Sequence, residues 1–148
     1  MAHVHKSALV PYSAKQMFDL VNDFLLYPEF LPWCRSTRLV SRTDTELCGE
    51  IEVARIGVRQ KFATCNTLHE PDRVDIHLLE GPFKKLEGGW RFMPLREDAC
   101  KVELVLDFEF SGKLIDKAFG AVFQQIANSL VDAFCKRADE VYGKGVKR

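Results

Sequence analysis

Residues 113–143 read KLIDKAFGAVFQQIANSLVDAFCKRADEVYG, a stretch with no proline and with apolar side chains at steps of three and four. Ile115, Phe119, Val122, Phe123, Ile126, Leu130, Ala133, Phe134 and Val141 fall on one side. Lys117, Gln124, Gln125, Asn128, Asp132, Lys136 and Asp139 fall on the other. The spacing predicts one long amphipathic helix closing the chain. Gly120 interrupts the apolar stripe although glycine is disfavoured in a helix interior by about 1 kcal/mol. Either a neighbouring element comes close there or room is left for a ligand.

Immediately before this helix the period drops to two. Ile51 and Val53 alternate with Glu50 and Glu52, and Val74, Ile76 and Leu78 with Asp75 and His77. Val102, Leu104, Leu106 and Phe108 alternate with Glu103, Val105, Asp107 and Glu109. Turn signals at Asp44-Thr45, Gly57, Glu70-Pro71-Asp72, Gly81-Pro82 and Glu97-Asp98 divide residues 38–110 into a meander of about six strands. Further back, His3 to Val10 reads as a short strand ending at Pro11. Ser13 with Gln16 then offers a capping box for a helix carrying Met17, Phe18, Leu20 and Val21. Pro28 and Pro32 restrict Phe24 to Trp33 to a helical turn or two. The order is that of an α+β domain over residues 1–148, a curved antiparallel sheet of about six or seven strands wrapped around the C-terminal helix. The helix stripe must lie on the concave face, with either packed core or an oily pocket between.

Composition narrows the function. Twenty-one basic residues balance twenty-one acidic ones, so no global field draws the protein to nucleic acid or an anionic membrane. The five cysteines are scattered with no C-x-x-C pair, which argues against a disulfide framework and a zinc site. They read as small buried residues in a reducing compartment. No secretory signal or membrane-spanning apolar run is evident, and the cytoplasm is the expected location.

Specific motifs then carry a resemblance. Asp23, Tyr27-Pro28, Phe30-Leu31-Pro32-Trp33-Cys34, Gly81-Pro82-Phe83-Lys84, Trp90-Arg91-Phe92 and Pro94-Leu95 are similar to the RatA/coenzyme Q-binding family of the START-like superfamily. So is the ending Ala133-Phe134, Lys136-Arg137-Ala138 and Val141-Tyr142-Gly143. The resemblance covers essentially the whole chain, and lacks the leader of mitochondrial members, as a bacterial protein would. It implies a helix-grip fold whose long helix closes a hydrophobic cavity, and a binding rather than catalytic role. It also implies two biological settings, isoprenoid quinone binding in support of respiration and association with the large ribosomal subunit that blocks subunit joining. A toxin of the second kind has an antitoxin partner, for which the sequence offers no motif.

For a bound ubiquinone or other lipid, the candidate lining is Phe62, Ile76, Leu78, Trp90, Phe92, Leu104, Phe119, Phe123 and Ile126, with Phe30 and Trp33 near an entrance. The bland alternative is that these side chains simply fill the core. Each CH₂ removed from water contributes roughly 0.8 kcal/mol, so ten of them give on the order of 8 kcal/mol before association costs. Arg91, Gln60 or Tyr27 are available as polar partners for a quinone head. Phe24, Leu25, Phe30, Leu31 and Trp33 either touch a membrane transiently as a portal at the inner-membrane periphery or pack under a loop.

For ribosomal RNA, Arg35, Arg38 and Arg42, Lys84 and Lys85, and the tail Lys144, Lys147 and Arg148 are the candidate contacts; otherwise they form a solvated face. Catalysis and metal binding find little support. His3 with His5, and His69 with His77, have no carboxylate or cysteine at a metal spacing, and no nucleophile elbow or phosphate loop occurs. The expectation is a non-enzymatic protein without a metal or covalent cofactor.

Overall fold

The computed structural model describes residues 2–55 and 57–143. Strand β1 (Ala2–Val10) leads into helix α1 (Ala14–Val21) through the capping box read from the sequence. Gln16 N donates to Ser13 Oγ at 3.1 Å, and Ser13 N donates to Gln16 Oε1 at 2.9 Å, so two otherwise orphaned donors are satisfied. A 3₁₀ turn (Phe24–Leu26) and the single-turn helix α2 (Tyr27–Phe30) follow, with Pro28 in the first turn, where its missing N–H does no harm.

Six strands then run as a meander: β2 (Cys34–Arg42), β3 (Glu46–Arg55), β4 (Val58–His69), β5 (Arg73–Glu80), β6 (Phe83–Arg96) and β7 (Ala99–Phe110). The first strand adds itself beside the last, giving the antiparallel order β1-β7-β6-β5-β4-β3-β2 across seven strands. Gly88 and Gly89 are what let the long β6 pass between its neighbours. A Cβ on Gly88, whose φ is +143°, would lie 2.0 Å from the Val105 carbonyl oxygen, and one on Gly89 would lie 2.1 Å from that of Val74.

The closing helix is not one regular α-helix. It begins as α3 (Lys113–Ile115), widens into a π-helical segment over Asp116–Gly120, and continues as α4 (Ala121–Val141). Gly120 serves packing rather than a ligand, since a Cβ there would meet Asp116 Oδ1 at 2.5 Å and the Phe110 ring at 3.5 Å. Phe119, Phe123, Ile126, Ala127, Val131, Phe134 and Ala138 form the buried stripe. Val141, expected in that stripe, is 47% exposed, because its last inward contact is made by Tyr142 instead.

Cys48 and Cys65 form a disulfide, which overturns the expectation of five free thiols. They face each other directly on β3 and β4, and opposed residues of an antiparallel pair bring their Cβ atoms within bonding reach. The register creates this pair, and no sequence spacing announces it. Cys34 and Cys100 remain buried thiols, and burial pushes each up to about 11.

Three tyrosines fasten the helices. Tyr12 donates to Asp139 of α4, Tyr142 donates to the Gln16 carbonyl at 2.8 Å, and Tyr27 donates to the Val21 carbonyl. The hydrogen bond to the Asp139 carboxylate, then burial, raises Tyr12 from 10.0 to about 12, and burial raises Tyr27 and Tyr142. Each folded tyrosine therefore holds its proton more tightly than in the unfolded chain. The stabilisation is complete below pH 10 and is lost as pH climbs from 10 toward 12, where the unfolded state binds fewer protons. Absorbance titration at pH 10 is expected to show less tyrosinate in the folded protein than in the unfolded chain, and Tyr12→Phe should lessen the alkaline loss of stability. A tyrosinate signal with an ordinary midpoint before unfolding would contradict this.

Candidate functional site

Helix α4 packs chiefly on β1 and β7, and on α1, so it covers one half of the concave face more closely than the other. Over the remaining half, β3 to β6, lies a cavity of about 100 Å³. Ile51 and Val53 of β3, Ile76 of β5 and Trp90 of β6 form part of its floor. Phe123, Ile126, Ala127, Leu130 and Phe134 of α4 form its roof. Val21, Phe24, Tyr27 and Trp33 close the end under α1 and α2.

Of the residues expected to line a pocket, Trp33, Phe62, Ile76, Trp90, Phe123 and Ile126 do so. Five others lie elsewhere, for identifiable reasons. Phe92 is fully buried between the stacked Trp90 ring and Phe18 of α1, and Leu104 is fully buried on β7 opposite Lys6 of β1. Phe119 packs among Phe83, Phe110 and Phe123, and Leu78, opposite Thr64, lies just past His77, where the pairing of β5 with β6 ends. Phe30 lies outside the cavity lining, in an outer layer. Its ring lies 5.4 Å from that of Phe134 and under the Arg137 guanidinium, 4.9 Å from the centroid.

The expected membrane portal is mostly internal. Phe24, Leu31 and Trp33 are buried and Phe30 half-buried, leaving Leu25 as the exposed member. No helix among the described residues is long and apolar enough to cross a membrane.

Polar groups in the cavity are few. Burial drives the Tyr27 phenol well above the ordinary tyrosine range, and its proton is committed to the Val21 carbonyl. Arg91 is exposed and Gln60 half-buried, and neither lines the space. Sequence reasoning missed Thr64 and Asn66, which follow Phe62 at period two on β4 and so share its concave side. The signal was present as a change from apolar to polar along one strand face. Asn66 Oδ1 is buried and, among the described residues, has no hydrogen-bond partner. Leaving such an acceptor unpaired costs about 1–3 kcal/mol.

The candidate RNA contacts do not form one patch. Arg35, Arg38 and Arg42 lie on the edge strand β2, with three strands between them and Lys84 and Lys85 on β6. Carboxylates neutralise most of them: Glu52 lies 4.0 Å from Arg35, Glu50 3.5 Å from Arg38, Glu109 3.7 Å from Lys84 and Glu87 3.1 Å from Lys85. Arg42 borders a cleft shared with Asp19, Asp44 and Glu70. Lys144, Lys147 and Arg148 lie outside the described residues. Three of the four histidines hydrogen-bond to carboxylates at the surface, His3 with Asp107, His5 with Glu103 and His69 with Asp75. Among the described residues, Glu46, Cys48 and Cys65 cluster, but the two sulfurs are bonded to each other.

A curved seven-stranded sheet gripping a long helix over an apolar cavity defines a class of ligand-binding folds. Residues 10–135 match the family model described as polyketide cyclase / dehydrase and lipid transport, and the chain belongs to that family. It is 46% identical over 144 residues to the ribosome association toxin RatA of Vibrio cholerae, covering 97% of this chain and 100% of the relative. It is 29% identical over 143 residues to coenzyme Q-binding protein COQ10 homolog B, mitochondrial, of Xenopus laevis, covering 94% of this chain and 59% of that protein. The crystal structure of the Zhui aromatase/cyclase from a Streptomyces species superposes with a TM-score of 0.81 over 93% of each chain. At 18% identity, that likeness shows the fold alone.

Tyr27→Phe keeps a ring among Phe24, Phe30 and Phe134 while removing the proton given to Val21. Urea unfolding should show a loss of about 1 kcal/mol. An unchanged midpoint would mean the phenol contributes nothing to the cavity wall.

Proposed function

We propose that this protein is a non-enzymatic carrier that binds an isoprenoid quinone, with the apolar part of the ligand beneath α4, in support of respiration. The observation that carries the reading is the oily cavity between α4 and strands β3 to β6. Its walls offer an unpaired amide and no arrangement of acid, base and nucleophile, which suits holding a ligand better than transforming one. A volume of about 100 Å³ is below the usual 300–1,000 Å³ of small-molecule sites, so a prenylated ring must widen the space as it enters. The gain from burying the chain is large enough to drive that opening.

Leu130 is the place to test this, because it lines the cavity while remaining half-buried. Phe123 is unsuitable: its ring touches those of Phe62, Phe83, Phe108 and Phe119, and a charge there would have no solvent. Organic extracts of the purified protein should contain quinone by mass spectrometry, and Leu130→Trp should deplete it at least about tenfold, equivalent to ~1.4 kcal/mol, with a cooperative unfolding transition retained. Absence of quinone from the extracts, together with no binding of added short-tail ubiquinone, would remove the reading.

A second reading, association with the ribosome, is favoured by the name of the Vibrio cholerae relative, and the motif resemblance points to the large subunit as the part to test. On it, Lys84 and Lys85 changed together to Glu should reduce pelleting with large subunits, wild-type pelleting should weaken as salt rises, and Leu130→Trp should leave it unchanged. Pelleting indifferent to both salt and the lysine pair would rule out this surface.

A further inference from the structure

The cavity has two chemically different ends. At one, Phe62 and Phe123 meet Phe83 in edge-to-face contacts, a wholly apolar corner. At the other, four residues along the same face of β4, stands Asn66, flanked by Thr64 on its own strand and by Ile76 opposite on β5. The ring of Phe24 lies over Gly49, the residue opposite Thr64, so closely that a Cβ there would be 2.3 Å from it. Phe24 thus covers part of this end; Thr64, Asn66 and Ile76 are half-buried as residues, yet the Asn66 amide oxygen itself is buried with no partner among the described residues.

Building on the quinone reading, we propose that Asn66, assisted by Thr64, is the hydrogen-bonding station for the oxygenated head ring, with the tail directed toward Phe62 and Phe123. The amide chemistry fits both redox forms of such a ring. In the orientation observed, Oδ1 accepts a hydrogen bond from a quinol hydroxyl. Turned by half a rotation about its terminal bond, the side chain presents Nδ2 to donate to a quinone carbonyl. The Thr64 hydroxyl likewise donates or accepts. A carrier with this station retains its ligand whether oxidised or reduced, and an oil without oxygen gains nothing from it.

Both tryptophans of the chain, Trp33 and Trp90, line the cavity, so their fluorescence reports occupancy. Three probes sharing a ten-carbon tail separate the contributions: decylubiquinone, its quinol, and decylbenzene, which has no oxygen. Asn66→Leu preserves side-chain size, and it is expected to weaken quinone and quinol about tenfold while leaving decylbenzene binding unchanged. Its unfolding midpoint should not fall, because the unpaired acceptor is removed along with its partner's absence. Thr64→Val, a second substitution of equal bulk, should weaken the oxygenated probes several-fold, about threefold to fivefold, in the same pattern.

Unchanged quinone affinity in Asn66→Leu would overturn the inference and reduce Asn66 to the holder of a water molecule. Equal losses for quinone and decylbenzene would overturn it too, since shape rather than hydrogen bonding would be responsible. Wild-type protein that binds decylbenzene and decylubiquinone equally well would defeat the head-group station and spare the cavity. Binding of none of the three probes would instead defeat the carrier reading itself.

Discussion

A knot of phenylalanine rings decides where the closing helix lies. Phe119 and Phe123 descend from the helix onto Phe83 of β6 and Phe108 and Phe110 of β7, with ring centroids 4.9 to 6.4 Å apart and mostly edge-on. Such pairs contribute about 0.5–1.5 kcal/mol each beyond the area they bury, and here they share the same few rings. The π-helical segment places Phe119 in the knot, and Gly120 behind it lets Asp116 and the Phe110 ring crowd in. Once the helix is fastened there, its contacts with β1 and β7 follow, and the strands on the far side of the sheet are left under a looser roof. The cavity is the consequence of that asymmetry.

The outer face of the sheet obeys a different rule. Its polar residues pair at partly exposed positions, Arg59 with Glu52 at 2.9 Å and His5 with Glu103 at 2.7 Å across strands, and Arg73 with Asp75 at 3.0 Å along β5. Individual surface pairs of this kind contribute little to stability, with a median of about 0–1 kcal/mol, but they fix which side of each strand faces water. A shift of one residue would turn Ile51, Val53 and Phe62 outward, so the cavity lining depends on this alternation as much as on the aromatic knot.

The elements were legible because local chemistry announces them: Ser13 and Gln16 cap α1, Gly57 and Gly81 take positive φ at the turns, and the period-two runs became strands with the anticipated inner faces. What depends on pairing across the sheet was not legible. Nothing in the spacing of Cys48 and Cys65 predicts their bond, and nothing in the helix stripe separates Phe119, which fills core, from Phe123, which fills core and lines the cavity as well. Apolar residues at period 3.6 or 2 identify an inward face, but the share of that face left unfilled depends on where the helix leans. Asn66 was visible as a polar residue after Phe62 and Thr64, yet only its burial without a partner distinguishes it from an ordinary surface amide.

On the proposed quinone reading the cavity is smaller than its ligand, so entry would require part of the wall to yield, and the wall is unequal in strength. On the sheet side, continuous backbone hydrogen bonding and the phenylalanine knot resist displacement. At α2, the barrier is a single aromatic layer, Tyr27 and Phe30 against Phe134, held from outside by Arg137. The Arg137–Glu29 pair spans 3.8 Å with Glu29 largely exposed, a contact of small net strength, and α2 is one turn long, with Pro28 in it and Pro32 just after it. Moving α2 breaks few backbone bonds, whereas moving α4 would break the knot. On the quinone reading, the least costly opening lies between α2 and α4, near Trp33 and Phe134. On that reading, a ligand would pass aromatic surface before its oxygens reached an amide.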